Sequence, residues 1–303
     1  MLFFQTSSAL SPRLAAWTSI AMCALGASAI DAANQETATL VTSNGVTKLA
    51  VEGPRPVATA VRTLISNYGA MISYEDPPYA YAGDLQDVSD KVRRNLDQYP
   101  PGQVSNNKVI VPMGGKLVLS THSADIALLL NQIVQTQSES NTGGSFRVEQ
   151  QDGFFHVVPT QWRDVDGTWV EATPILDLPI SLSVQDRSDD DLIEAIRAAI
   201  SSAAGFRVNI GSWLRKGTAE PVKYYFGAEN EPARSVLARA LIAIAANRGN
   251  LTWLLLYDPD QEPSKGRYFL NIISVPSQPS AIAPSPKLRT LMPSVGGGGT
   301  GAQ

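Results

Sequence analysis

Residues 116–159, KLVLSTHSADIALLLNQIVQTQSESNTGGSFRVEQQDGFFHVVP, carry the pattern on which the reading of the whole chain turns. They spell a strand, a helix and a two-stranded hairpin. Ile126, Leu129, Leu130, Ile133 and Val134 recur at spacings of three and four, which lines one helix face with apolar side chains. Ser123 offers a hydroxyl to cap that helix. The apolar face has to be buried. The surfaces within reach are Leu117-Val118-Leu119 on one side and a ribbon of Phe146-Arg147-Val148 with His156-Val157-Val158 on the other. Asp152-Gly153 suits the tight turn between the ribbon strands, because both central positions of such a turn take positive φ.

Upstream, Lys48-Leu49-Ala50-Val51 reads as a strand broken by Gly53-Pro54-Arg55-Pro56. Val57, Ala60, Val61, Leu64, Ile65 and Tyr68 then follow helical period, Gly69 stops the helix, and Met71-Ile72-Ser73-Tyr74 is the next strand. Residues 79–107 read as an irregular insertion with a short helix near residues 88–96, ahead of a strand at 108–112. Thr168-Trp169-Val170 adds a strand to the same sheet.

Downstream the plan returns. Ile180, Leu182 and Val184 alternate with polar residues, Ser188 and Asp191 resemble a capping box, and Ile193, Ile196, Ile200 and Ala203 line a helix that Gly205 closes. Phe206, Val208 and Ile210 alternate again, and residues 211–221 connect to a strand at 222–226. Asn230 stands where it could cap a helix bearing Ala233, Val236, Leu237, Ala240, Leu241 and Ile244. Residues 251–257 are apolar on both faces, which places that strand inside a sheet, and residues 268–275 form its return.

Each half therefore runs strand-helix-strand and then strand-helix-strand-strand. The expected fold class is α+β, with two related domains at 47–176 and 177–275 whose helices pack on small mixed sheets. A signal peptide is expected at 1–33, a flexible leader at 34–46, and a disordered Pro/Ser/Gly-rich tail at 276–303. Arg13, the apolar run 14–25 and the small residues Ala27-Ser28-Ala29 carry the signal reading, with a second cut after Asp31-Ala32-Ala33. The apolar run is short for a bilayer span and no second one follows, so no transmembrane segment is expected once the signal is removed. The chain is expected in the periplasm or outside the cell.

Cys23, the single cysteine, lies inside the signal, so the mature chain is expected to lack disulfides, a thiolate nucleophile and a cysteine metal site. The bulky Met22 before it argues against a lipoprotein signal. A net charge of −4 and a pI near 5.3 leave no basic footprint for a nucleic-acid backbone. The only histidines are His122 and His156, each beside secondary-structure signals, and no Gly-x-Ser-x-Gly elbow is present. Asp189-Asp190-Asp191 fit the positive end of a helix dipole, while Asp164, Asp166 and Glu171 fit a turn better than a calcium loop. Gly143-Gly144 precedes a strand and so cradles no phosphate. No catalytic, cofactor or metal residue is assigned. Trp253, Tyr257, Tyr224 and Tyr225 sit in strands and are expected to pack, whereas Trp162, Trp169 and Trp213 lie in less regular stretches and are the candidate interaction residues.

Residues 55–69, RPVATAVRTLISNYG, followed by Ile72-Ser73-Tyr74-Glu75, resemble the opening of the secretin and TonB short N-terminal domain. Residues 117–130, LVLSTHSADIALLL, resemble its second half, and the hairpin at 146–159 stands where that domain ends. The resemblance covers 47–159, with a weaker echo at 180–275. It implies a small periplasmic α+β module that docks proteins or assembles rings. The expected function is therefore an exported, non-enzymatic envelope protein acting in protein–protein interaction or assembly, accessory to outer-membrane secretion or transport machinery. Its partner would be another envelope protein or a second copy. Two further readings stay open: a glycan or small-molecule binder using a groove lined by Trp162, Trp169 or Trp213, and a hydrolase built on carboxylates such as Asp164 and Asp166. The sequence names no particular small molecule.

Overall fold

β1 (Thr37–Ser43) and β2 (Val46–Gly53) form a hairpin whose two-residue loop is Asn44-Gly45, both at positive φ (52° and 72°). Residues 37–43, which fall within the leader expected to be flexible over 34–46, are strand. Thr37, Thr39 and Val41 favour the extended backbone, and Asn-Gly supplies the turn, so the segment pairs with β2 along its whole length. The computed structural model describes residues 36–90, 108–123, 125–213, 222–259 and 266–277. The signal, the expected helix beyond residue 90, most of the 211–221 connector and the tail from 278 lie outside the described residues.

From β2 the chain enters α1 (Pro56–Tyr68), ended by Gly69 at φ 61°, and then β3 (Ile72–Glu75). The insertion opens with a short 3-10 turn and β4 (Leu85–Asp87), which pairs with β5 (Ile110–Pro112). β6 (Gly115–Thr121) lies on the other side of β2 from β1. It leads to α2 (Ile126–Glu139), which is capped by Asp125 and not by Ser123. The Asp125 carboxylate accepts from Leu128 N at 3.2 Å, while Ser123 Oγ accepts from Asp125 N. β7 (Ser145–Gln151) and β8 (Phe154–Arg163) make the expected hairpin over Asp152-Gly153, and β9 (Trp169–Glu171) pairs with the far end of β8.

The second half supplies β10 (Pro179–Ser188), α3 (Asp189–Ala204), β11 (Arg207–Ile210), β12 (Lys223–Pro232), α4 (Ala233–Arg248), β13 (Leu251–Asp258) and β14 (Arg267–Ser274). Ser188 caps α3 as expected, its Oγ accepting from Asp191 N. Asn230 does not cap α4. It takes a positive φ of 51° inside β12, and Pro232 stands at the helix start. A bulge between Leu182 and Gln185 breaks the alternation of β10 and turns Val184 out to 60% exposure, bringing Arg187 inward instead.

The fold is α+β, and both halves have the same strand topology. In the first, β3 runs parallel to β8 and β8 antiparallel to β7; in the second, β11 runs parallel to β14 and β14 antiparallel to β13. β2 pairs antiparallel with β6 as β10 does with β12. The two triplets do not form separate sheets, however. β13 pairs in parallel with β3, fusing them into one seven-stranded sheet ordered β11-β14-β13-β3-β8-β7, with β9 beside β8. The boundary expected at 176/177 therefore separates two repeats that share a sheet. The strand directions make the second repeat a flipped copy of the first. Accordingly, α1 and α2 pack on one face with Ile72, Tyr74, Val157 and Leu254, and α3 and α4 on the other with Phe154, Trp253, Leu255 and Leu270. β13 is apolar on both sides because it faces both cores. No helix among the described residues is long and apolar enough to cross a membrane.

Candidate functional site

The densest polar chemistry sits at the end of β3, where the repeats meet. Alternation sends Glu75 and Asp76 to opposite faces. Asp76 Oδ1 accepts from Tyr74 and Tyr79 hydroxyls at 2.6 and 3.2 Å, and Oδ2 from Arg55 Nε at 2.8 Å and Tyr257 N at 2.9 Å. Glu75 accepts from Ile175 N at 2.7 Å and from Arg234 Nη2 at 2.7 Å, and Arg234 also reaches Asp177. Burial raises Glu75 above the usual carboxylate range, and Arg234 opposes that shift. Burial, with Asp76 close by, raises Tyr74 and Tyr79 well above an ordinary phenol. Both carboxylates are 1% exposed and hold strands and turns together, so this cluster is a seam between the repeats.

Ser73 Oγ and His156 Nδ1 are 2.6 Å apart on the same face as Glu75. His156 lies against Phe154 and Trp253, with ring centroids 5.8 and 5.5 Å away. Burial, followed by the charge of Arg234, lowers its pKa to about 4. Ser73 is 0% and His156 1% exposed, so neither can meet a substrate in this conformation. Asp164 is likewise engaged: Oδ1 accepts from Asp166 N and Thr168 N at 3.0 and 2.9 Å, closing the β8–β9 turn.

Of the three candidate tryptophans, Trp162 and Trp169 fall on adjacent strands and Trp213 at the other edge of the sheet. Trp162 and Trp169 lie in β8 and β9 near one end of the sheet, both half-buried, and the Arg163 guanidinium sits 5.5 Å from the Trp169 ring and 4.8 Å from Tyr81. Trp213 follows β11 at the opposite edge. Its indole N–H bonds Asp190, and Arg248 covers one ring face at 5.4 Å. Beside it the described residues outline an open groove of about 830 Å³, edged by Asp191, Glu194, Arg197 and Arg207. Trp253 and Tyr257 are in the core, as expected, while Tyr225 is 77% exposed on β12.

The free strand edges differ sharply in protection. Val208 of β11 directs its backbone outward, where Arg197 Nη1 donates to its carbonyl at 2.8 Å and Ser201 Oγ accepts from its N–H at 3.2 Å. Counting back from Gly69 and Gly205, the corresponding residues of α1 are Val61 and Ile65, which leave the β3 edge free to accept β13. β10 has its bulge and Asp186, with Arg187 donating to Ser183 O; β12 has Glu229, Glu231 and Pro232; β7 has Arg147 and Glu149; β6 has Lys116. Among the described edge strands longer than three residues, β1 alone lacks a charge, a proline, a bulge and a side-chain cap. Six of its seven residues, TATLVTS, are exposed. Asn44-Gly45 was the signal for this hairpin in the sequence; the Thr/Ser content of the segment masked it. No protein-family model, curated protein or solved structure matches this chain.

Proposed function

We propose that this chain is an exported, non-enzymatic envelope protein that binds or assembles with another protein by accepting a strand along β1. The observation that carries the reading is the unprotected β1 edge. A bare row of backbone N–H and C=O groups is a template for a further strand, and every other long edge in the described residues carries a feature that discourages one. The joining of the repeats through β3 and β13 supports the same mode of association, since this fold already uses edge pairing internally. The engagement of Glu75, Asp76, His156 and Asp164 in structural contacts supports a role at the surface and not in a reactive cleft. The signal-like segment supports an envelope location.

A photocrosslinking residue at Val41, compared with one at Val184 on β10, tests the reading in envelope fractions. Adducts at 41 that disappear when Thr37 and Thr39 are replaced by lysine support it. Adducts at 184 alone, or none at either position, contradict it.

A further inference from the structure

We infer that the strand accepted by β1 is β1 of a second copy, running antiparallel about a twofold axis through Leu40; this rests on the edge-docking reading above. Read backwards, β1 keeps only Leu40 in place, but each of the other positions exchanges one small or β-branched uncharged residue for another. Centred on Leu40, the pairing sets Thr37 against Ser43, Ala38 against Thr42, Thr39 against Val41 and Leu40 against its own copy. Residues directly opposite in an antiparallel pair share a face, and each of these pairs joins residues of the same alternation class. Thr with Ser and Thr with Val are favourable cross-strand neighbours, and no pair sets charge against charge.

The surroundings fit as well. Leu40 is the only residue of β1 that is partly buried, packed at the margin of the first core, and the pairing covers it with its own copy. The nearest like charge is Lys48, opposite Val41 on β2. Across the axis the two Lys48 positions are three strand spacings apart, about 14 Å, which exceeds the ~8 Å screening length at physiological salt. The product is a continuous six-stranded sheet ordered β6-β2-β1-β1-β2-β6. Such an interface closes on itself, so it yields a dimer and not a fibre. Seven-residue strands make a small interface, so the dimer forms reversibly at micromolar concentrations or above.

Light scattering and sedimentation of the purified protein over a concentration series, alone and with two charge variants, test the inference. Thr39→Lys/Val41→Lys sets lysine against lysine twice across the axis, and Thr39→Glu/Val41→Glu sets glutamate against glutamate. Both sites are exposed, so circular dichroism should stay near that of the parent; Val41→Lys, which faces Lys48 on β2, should lower the melting temperature slightly, and the glutamate variant should not. Each variant alone should dimerise at least about tenfold more weakly, and an equimolar mixture of the two should recover the dimer as a heterodimer. A parent that stays monomeric throughout, a dimer unchanged in both variants, or a mixture that fails to associate overturns the inference. If the parent is monomeric while a crosslinker at Val41 still captures a foreign protein, self-pairing fails and edge docking stands. If neither occurs, both fail.

Discussion

Glu75 Oε2 accepts from Arg234 Nη2 at 2.7 Å, which ties the last residue of β3 in the first repeat to the first turn of α4 in the second. Both side chains are almost wholly buried, at 1% and 4% exposure. Removing one partner leaves a buried carboxylate unpaired, so Arg234→Met should cost about 3–5 kcal/mol, read as a lower urea midpoint. Replacing both, as Glu75→Leu with Arg234→Met, should recover part of that loss, because the Ile175 N–H then has no carboxylate to bond. A double variant as weak as the single one would contradict this account of the seam.

Leu254 belongs to the second repeat by sequence but packs in the core built by α1 and α2. Leu254→Ala should therefore destabilise the whole described fold by about 2–5 kcal/mol, and denaturation should remain a single transition by every probe. Two separate transitions would mean that the repeats fold independently in spite of their common sheet.

His156 gives the stability a defined pH dependence. It is neutral in both states above its usual 6.5; as pH falls below that, the unfolded chain takes up a proton that the folded chain refuses until about 4. Stability is thus fully present above pH 6.5 and declines toward pH 4, by on the order of 3 kcal/mol in total. Melting curves of the parent and His156→Phe isolate this contribution, because the opposite contribution of Glu75 is present in both. The variant should show a shallower fall between pH 6.5 and 4.5. Parallel curves would contradict the assignment.

The polar cap on β11 predicts a gain as well as a loss. Arg197→Ala with Ser201→Ala should cost about 1–2 kcal/mol by unpairing Val208, and should also expose a second edge. More association by light scattering than in the parent is the expected outcome. A destabilised variant with unchanged association would show that the cap serves stability alone.

Most of the repeat plan was legible because its helices and hairpins announce themselves locally. Leu129, Leu130 and Ile133 line one face, Gly69 and Gly205 stop their helices, and Asp152-Gly153 turns a ribbon. What stayed hidden depended on partners distant in sequence. Nothing near β3 or β13 says that 254–255 will lie beside 74–75, and the bulge at 182–185 is set by pairing with β12. The β1 hairpin was readable from Asn44-Gly45 between β-branched residues. The three tryptophans stand out in the sequence for their irregular surroundings, but Arg163 and Arg248 cover Trp169 and Trp213, and the edge that stands open is built largely from threonine, valine and leucine.

Amide hydrogen exchange across residues 37–43, measured on dilute protein and on protein concentrated enough to associate, reads pairing at the β1 edge itself. Alternate amides of β1 should pass from rapid exchange to strong protection, with β10 unchanged. Protection appearing on β10 or β7 while 37–43 continue to exchange rapidly would contradict it.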